Sequence, residues 1–310
     1  MRLPPPQAVP QPNGRVVAFV NFKGGVGKTA NVVNIGAALA ATHQKRVLVV
    51  DLDAQCNSSL WLLNKQAWRD HTEGNRRTTY QLFKDKALGT RLFNFEDAVI
   101  RGVPISANGF RLISNLHLLP AAVELLEIEQ LLASRMAQGA YRYLFAELND
   151  RRRDYDYILI DCPPHFLWTT KNAVFLADHL AIPYIPDFLS LSGFQQLAKL
   201  VEAFGRQVEG NRLALGRTRI SAIIVNRYAK IGNVFQQGLL ELEELTRKLK
   251  AAGLIHPKTT VLNPPIRQCV KVAEAPAVHL PVLLHAPGSI GDTDYAALTQ
   301  SFLDHYEGIS

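Results

Sequence analysis

The sequence of 310 residues contains only three cysteines, and Cys56, Cys162 and Cys269 lie far apart without a CxxC pair. This spacing argues against a disulfide framework and against a cysteine metal centre. No apolar run reaches the roughly 18 residues needed to cross a bilayer, and the proline-rich start lacks the apolar centre of a signal peptide. We therefore expect a cytoplasmic protein whose thiols are reduced and unreactive.

The composition is that of a globular protein, with 47% hydrophobic and 20% charged residues. The length allows one large domain or two ordinary ones, and we expect one. A formal net charge of +7 and a pI of about 9.3 favour attraction to a polyanion such as nucleic acid. A basic surface that only aids solubility is nearly as common, so charge alone leaves both interpretations open.

The chain divides into a short leader and one long domain. Five prolines within residues 1–14 predict a flexible leader, because proline cannot donate backbone hydrogen bonds. From Arg15 onward, short β-branched runs alternate with helical stretches, which predicts a single α/β domain over residues 15–310. The expected architecture is a mostly parallel, twisted sheet with helices on both faces.

Five apolar runs predict buried strands, at residues 16–21, 46–51, 155–161, 179–185 and 219–226. Periodicity predicts helices at residues 28–43, 121–136, 139–151, 169–178, 190–208, 232–251 and 292–306. Residues 64–110 are the least readable, and the polar stretch DHTEGNRRTT within them suggests a surface loop.

The string KGGVGKT, residues 23–29, follows the first predicted strand and opens the first predicted helix. Glycines in this context let successive N–H groups and the helix N-terminus point at phosphates. Lys28 is expected to reach the β- and γ-phosphates and the Thr29 hydroxyl to bind Mg²⁺, so the predicted cofactors are ATP and Mg²⁺. A plain glycine turn is the alternative, but it does not explain Gly-Lys-Thr at the phosphate-loop spacing.

Acidic residues end two of the predicted strands. Asp161 closes the run YILID, where a carboxylate leaves the sheet edge beside the phosphate loop and can hold the metal through its water. Asp51 and Asp53, in VVDLDAQ, lie two residues apart and so project toward the same edge. One of them is expected to support the metal shell and the other to position the attacking water.

These motifs together resemble the ParA/MinD family of deviant Walker-type ATPases, most closely its ParA branch. The resemblance rests on the segments KGGVGKT, VLVVDLDAQCNSSL, YDYILIDCPP, LADHLAIPYIPDFLSLSGFQQL and VKVAEAPAVHLPVLLHAPGSIGDTDYAAL, and it runs with gaps from about Arg15 to His305. The lysine that precedes the two glycines, Lys23, distinguishes this family from ordinary phosphate-loop proteins.

The resemblance implies specific roles. Lys23 would reach across an ATP-sandwich homodimer to the partner's phosphates, so that it joins Lys28 and Asp53 as a catalytic residue. Asp53 matches the aspartate needed for hydrolysis, and Asp51 would complete the metal set with Thr29 and Asp161. Asn226 matches an adenine-recognising position, although it can instead cap the following loop. The predicted nucleotide contacts are Gly24, Gly25, Val26, Gly27, Lys28, Thr29, Ala30 and Asn226.

Two residues depart from the family pattern. Ala30 stands where a second threonine is usual, and Ala54 stands where the DxDPQ pattern has proline. Neither change removes a predicted ligand, so nucleotide binding is expected to survive. Ala54 is expected to loosen the segment after Asp53 and to alter the hydrolysis rate.

The resemblance also implies partners: nonspecific DNA over the nucleoid, and a ParB-like or other adaptor protein that stimulates hydrolysis. A leader of about 14 residues is too short for a helix-turn-helix. The candidate DNA contacts are Arg227, Lys230, Arg267 and Lys271. Arg151, Arg152 and Arg153 are expected at a helix C-terminus, where the helix dipole favours cations. The helix at 232–251 is expected to pack against the fold rather than to face a cargo.

Other functions stay open at this stage. A MinD-like membrane switch would need a basic amphipathic C-terminal helix, and LTQSFLDHYEGIS is neither basic nor strongly amphipathic. A regulatory ATPase acting on a protein partner is a further alternative. A metallocluster protein is less favoured, because Cys162 has no partner cysteine at a suitable spacing. An enzyme that makes a small metabolite is a further alternative, which ATPase activity stimulated by DNA and a partner would exclude.

Overall fold

A computed structural model describes residues 14–74, 76–106, 108–134, 139–212, 216–228 and 233–309. It contains an eight-stranded sheet whose order is β3-β4-β2-β5-β1-β6-β7-β8. The strands are Arg15–Phe19 (β1), Val47–Asp51 (β2), Ile100–Arg101 (β3), Leu116–Leu119 (β4), Tyr157–Asp161 (β5), His179–Tyr184 (β6), Arg219–Val225 (β7) and Thr260–Leu262 (β8). Among the strands of the described residues only β3 pairs antiparallel, so the predicted mostly parallel α/β fold is confirmed.

Helices connect the strands. They are Lys28–Ala41 (α1), Asn57–Leu62 (α2), Lys65–Thr72 (α3), Thr79–Leu88 (α4), Phe95–Ala98 (α5), Leu125–Ser134 (α6), Tyr143–Leu148 (α7), Trp168–Leu176 (α8), Phe188–Val208 (α9), Asn233–Ala251 (α10), Val270–Glu274 (α11), Val282–His285 (α12) and Ile290–Gly308 (α13). The predicted helix at 139–151 is wrong in detail, because only α7 is α-helical there and 3-10 turns flank it.

Residues 64–110, for which the sequence predicted no helix or strand, contain α3, α4, α5 and β3. The predicted surface loop at residues 70–79 is shorter than expected, because its first three residues belong to α3 and its last residue opens α4. Asn64 explains the start of α3, since its side chain accepts a hydrogen bond from the backbone N–H of Ala67 and caps the helix.

Both faces of the sheet are covered by helices, and the strand sequences reflect this. In β1 and the residue that follows it, Val16, Ala18 and Val20 belong to one buried cluster, whereas Val17 and Phe19 belong to the other. Alternate residues of a strand point to opposite faces, so a continuous apolar run is what a sheet buried on both sides requires. Helix α13 packs on the second face, where the rings of Phe19 and Phe302 stack with centroids 6.4 Å apart.

The expectation for the triple-arginine segment is wrong for its middle residue. Arg151, Arg152 and Arg153 lie in a 3-10 turn at Asp150–Asp154, and Arg152 is only 1% exposed. Its guanidinium donates to the Asp178 carboxylate at 2.8 Å, so it is a buried structural cation rather than a solvated charge at a helix end.

The two ends of the described chain meet at the edge of the sheet where β1 begins. The Arg15 guanidinium donates to the backbone carbonyl of Ile309 at 3.1 Å. No helix among the described residues is long and apolar enough to cross a membrane. The predicted division at residue 14 stays a prediction, since residues 1–13 lie outside the described part of the chain.

Candidate functional site

The phosphate loop lies at the C-terminal end of β1, near the centre of the sheet. There β1 is flanked by β5 on one side and β6 on the other, and the connections run outward in opposite directions. Such a point opens a crevice beyond the strand ends. Gly25 and Gly27 have positive φ angles of 71° and 96°, and Gly27 is the N-cap of α1. A Cβ on Gly27 would lie 3.0 Å from Cγ of Asn226, so glycine is required for both backbone and packing reasons.

The side chain of Lys28 lies beneath this loop. Its ammonium donates to the backbone carbonyls of Asn21 and Lys23, each at 3.2 Å. Burial lowers the pKa of Lys28, and the carboxylates of Asp161 and Asp53 act in the opposite direction. An ammonium has three N–H donors, so these two contacts leave one donor for a phosphate oxygen.

Asp161, at the end of β5, is held by two hydroxyl groups. Its Oδ2 accepts hydrogen bonds from Thr29 Oγ1 at 2.8 Å and from Ser58 Oγ at 2.7 Å. Its Oδ1 is buried and has no hydrogen-bond partner in the part of the chain that the structure describes. A buried carboxylate oxygen without a donor is unfavourable unless something else satisfies it. A water bound to a metal ion would supply that donor.

Asp51 and Asp53 lie next to Asp161 but have different surroundings. Asp51 is fully buried, and its oxygens accept from the N–H and Oγ of Ser59, at 2.9 and 2.7 Å, and from the N–H of Asp53 at 3.1 Å. Asp53 is 8% exposed and accepts from the backbone N–H of Gln55 at 2.9 Å. Asp51 thus anchors the turn that carries Asp53, and its predicted place in the metal shell stays a prediction.

The charges of this site favour a divalent cation. Asp51 and Asp161 are register partners on adjacent strands, and burial raises the pKa of both carboxyl groups. The charge of Asp161 raises the pKa of Asp51 further. Among the described residues no cluster of three or more histidine, cysteine or acidic side chains is arranged to hold a metal alone. The strand-end carboxylates fit Mg²⁺, which is commonly held by one or two protein groups together with substrate phosphates and water.

Asn226 follows β7 and fastens the loop. Its amide nitrogen donates to the carbonyls of Val26, at 3.0 Å, and Ile224, at 3.1 Å. Both amide hydrogens are therefore used within the protein, and the side-chain oxygen is the group left for a base edge. Adenine recognition through that oxygen stays a prediction.

Lys23 makes an ion pair within its own subunit. Its ammonium binds the carboxylate of Asp187, which caps α9 by accepting from the N–H of Ser190 at 2.9 Å. The Oγ of Ser190 lies 3.4 Å from the same ammonium. The predicted contact of Lys23 with a partner's phosphates would require this ion pair to open.

Those of the predicted DNA contacts that the structure describes, Arg227, Arg267 and Lys271, do not form one unpaired cluster. Arg267 pairs with the buried carboxylate of Asp294, and Lys271 pairs with Glu274 at 2.8 Å. Arg227 lies beside the phosphate loop, since its guanidinium is 3.9 Å from the position a Cβ on Gly25 would occupy. Lys230 lies outside the described residues.

Three residues of the site were missed by sequence reasoning: Ser58, Ser59 and Asp187. Ser58 and Ser59 follow the DLD segment by a few positions, and two small hydroxyl residues at the start of a helix near strand-end carboxylates are a weak but usable signal. Asp187 could have been expected as a helix N-cap before the apolar run of α9. Its pairing with Lys23, 164 residues away, has no local signal.

Comparisons with known proteins show what the whole chain is similar to. A model of the AAA domain family matches residues 14–214. A ParA family protein of Chlamydia trachomatis is 30% identical over 292 residues, which cover 93% of this chain and 97% of that protein. The chromosome partitioning protein ParA of Caulobacter vibrioides is 30% identical over 290 residues, with coverages of 93% and 94%.

A solved structure extends the likeness to the fold. The ATP complex of a McdA variant from Cyanothece matches with a TM-score of 0.71 and 19% sequence identity, covering 95% of this chain and 97% of that chain. At this identity the match bears on the fold alone.

Proposed function

The chain belongs to the ParA/MinD family of P-loop ATPases, and on this premise we propose that it is an ATP-dependent switch that dimerises around its nucleotide, binds DNA nonspecifically and positions or segregates a cargo. One observation carries the proposal. Thr29 of the glycine loop donates its hydroxyl to the strand-end carboxylate of Asp161, and the other oxygen of that carboxylate is buried without a hydrogen-bond partner among the described residues. This arrangement fits Mg·ATP, in which the metal ion accompanies the phosphates.

The residues of the site divide the work of binding and hydrolysis. Bound Mg²⁺ would neutralise phosphate charge and polarise the terminal phosphoryl group. Lys28 would hold the β- and γ-phosphates, and Thr29 and Asp161 would hold the metal with its water. Asp53, which is 8% exposed whereas Asp51 and Asp161 are 0% and 1% exposed, would orient the attacking water and accept its proton.

Dimerisation around ATP follows from the position of Lys23. The ammonium is only half-buried and its present partner is a surface carboxylate, so exchange for a phosphate of a second subunit would meet a small barrier. The phosphate charge at such an interface needs a cation, because a buried anion without one is strongly unfavourable. ATP would thereby set the oligomeric state.

Nonspecific DNA binding is supported by the net charge of +7 and by the names of the curated relatives. Doubling the positive charge in a dimer would strengthen attachment to phosphates, since release of counterions drives such binding. An adaptor protein that stimulates hydrolysis would complete the cycle by returning the dimer to monomers.

The membrane-associated alternative is less well supported. A membrane-binding helix needs a free apolar face, but Leu298, Phe302 and Tyr306 of α13 are fully buried against the sheet. Withdrawing α13 from the fold would expose this core.

Isothermal titration calorimetry with Mg·ATP tests the nucleotide site. Lys28→Ala is expected to abolish measurable binding, whereas Lys171→Ala, which removes a lysine lying over the ring of Trp168, should bind as the wild type does. An unchanged affinity in Lys28→Ala would refute the site. DNA mobility shifts and vesicle sedimentation, each with ATP and with ADP, then separate a DNA-bound from a membrane-bound switch. ATPase activity that neither DNA nor vesicles stimulate would favour a regulator of another protein.

A further inference from the structure

Two consecutive serines at the start of α2 each hold a different carboxylate of the site. Ser58 Oγ donates to Asp161 Oδ2 at 2.7 Å, and Ser59 Oγ donates to Asp51 Oδ2 at 2.7 Å. Asp51 and Asp161 lie side by side on β2 and β5. Both serines are completely buried, so neither hydroxyl can exchange its partner for bulk water.

These serines are joined to Asp53 by a short, tightly bonded segment. The N–H of Cys56 donates to the Asp53 carbonyl at 2.8 Å, and the N–H of Leu60 donates to the Cys56 carbonyl at 2.8 Å. Cys56 has a positive φ of 54° and is the N-cap of α2. The turn that carries Asp53 therefore passes directly into the helix that carries Ser58.

Ser58 differs from Ser59 in what its hydroxyl does. Ser59 also accepts a hydrogen bond from the backbone N–H of Ala121 at 3.0 Å and donates through its own N–H to Asp51, which makes it part of the framework. Ser58 bonds to Asp161 Oδ2, the same oxygen that Thr29 binds. Oδ2 has two donors, whereas Oδ1 has no partner among the described residues and is the oxygen left to accept from a metal-bound water.

We infer that Ser58 is a positioning residue for the metal side of the site: its buried hydroxyl fixes the Asp161 carboxylate and couples it to the turn of Asp53. This inference rests on the proposed function. Ser58 touches neither nucleotide nor reacting atoms in this role. It acts through Asp161, so its loss should weaken the contribution of Mg²⁺ while leaving the phosphate loop itself intact.

The test compares two substitutions that have nearly the same shape. Ser58→Thr keeps the hydroxyl and adds a methyl group. Ser58→Val adds the same methyl group and has a second one in place of the hydroxyl, so the two variants crowd the buried position alike and differ only in the hydrogen bond. Ser58→Ala removes the hydroxyl without crowding. Ser134→Ala, which alters an exposed serine of α6, is the control. Thermal unfolding first establishes that each variant is folded.

ATP affinity is then measured by calorimetry, with Mg²⁺ and with EDTA. Ser58→Val and Ser58→Ala are expected to bind ATP in EDTA as the wild type does. The gain in ATP affinity that Mg²⁺ provides should be about tenfold smaller in these two variants than in the wild type, as expected for loss of a hydrogen bond to a charged group. Ser58→Thr and Ser134→Ala should retain that gain. The Mg²⁺ concentration for half-maximal hydrolysis should rise about tenfold in Ser58→Val and Ser58→Ala.

Two results would overturn the inference. If all variants share the wild-type Mg²⁺ gain, the hydroxyl only fills space, and the nucleotide site would stand without it. If Ser58→Thr loses as much as Ser58→Val, packing and not the hydrogen bond is responsible. A wild-type protein that binds no ATP under either condition would instead overturn both this inference and the proposed function.

Discussion

The ammonium group of Lys23 is bound to the carboxylate of Asp187, although Lys23 belongs to the loop whose lysines are expected to bind phosphate. The two side chains are 38% and 37% exposed, so the ion pair is screened by water and is worth at most about 1 kcal/mol. A pair of this strength can be exchanged for a phosphate when a second subunit approaches. It nevertheless opposes that exchange while it is intact.

Asp187→Asn is therefore expected to favour the ATP-bound dimer. Asparagine can still cap α9 by accepting from the N–H of Ser190, but it no longer holds Lys23 by charge. Each dimer opens two such pairs, so light scattering across a protein dilution series in Mg·ATP should show dimers at concentrations up to about 30-fold lower than for the wild type. Lys23→Ala should remove the dimer altogether. A dimerisation constant that is the same in Asp187→Asn and wild type would mean that the pair does not compete.

Asp53→Ala should separate ATP binding from hydrolysis. Because Asp53 is not among the residues proposed to hold the phosphates or the metal, its loss should leave ATP affinity intact, while removal of a general base lowers the turnover by about 100-fold or more. Dimers should then accumulate with ATP, as seen by light scattering alongside phosphate release. Asp53→Asn keeps an acceptor for the N–H of Gln55 and so preserves the turn. Normal turnover in Asp53→Asn would exclude the proton-accepting role.

Lys271 offers a test of the DNA surface in two directions. Lys271→Ala should weaken binding of duplex DNA, measured by fluorescence anisotropy with ATP, and should lower the slope of log affinity against log salt by about one for each phosphate that the lysine neutralises. Glu274→Gln removes the carboxylate that now pairs with Lys271, so it should strengthen binding. Equal affinities for both variants and the wild type would place the DNA contact elsewhere. Arg267 is a poorer probe, because its removal would leave the buried carboxylate of Asp294 without this ion pair.

Acid should destabilise the protein through His179, at the start of β6. Burial lowers the pKa of His179 to about 4, opposed by Asp178 and aided by His256, Arg15 and His305. The unfolded chain therefore takes up this proton first. Stability is complete above the ordinary histidine pKa of about 6.5 and falls as the pH drops toward 4, by about 2 kcal/mol at pH 5.

Urea unfolding at pH 7.5 and pH 5 measures this loss. His179→Gln should reduce the difference between the two pH values by about 2 kcal/mol. The decline will not vanish, because burial also lowers the pKa of His71, His117, His256 and His305. His43→Gln, in the turn after α1, serves as the control. A decline that His179→Gln leaves unchanged would contradict the assignment.

The sequence predicted the central strands and the phosphate loop because their signals are local. Five apolar runs correspond to β1, β2, β5, β6 and β7, and glycine spacing identified the loop. The remaining strands were missed since β3, β4 and β8 have only two to four residues, too few for a periodic pattern.

Contacts between distant parts of the chain account for the rest. Ser58 and Asp161 are 103 residues apart, and Lys23 and Asp187 are 164 apart, so only the assembled fold brings them together. The expectation for Arg152 was wrong for the same reason, because its partner Asp178 follows α8. Without that partner, a run of three arginines indicates solvent exposure.

The hydrogen bond from Arg15 to the carbonyl of Ile309 joins the two ends of the described chain at the edge of the sheet opposite the phosphate loop. A short linker between these positions would therefore close the backbone into a ring without spanning the nucleotide crevice. New termini opened in a surface loop would yield a circular permutant with the same sheet order. For the same reason, a reporter domain attached beside either residue would stand clear of the face on which two subunits are proposed to meet.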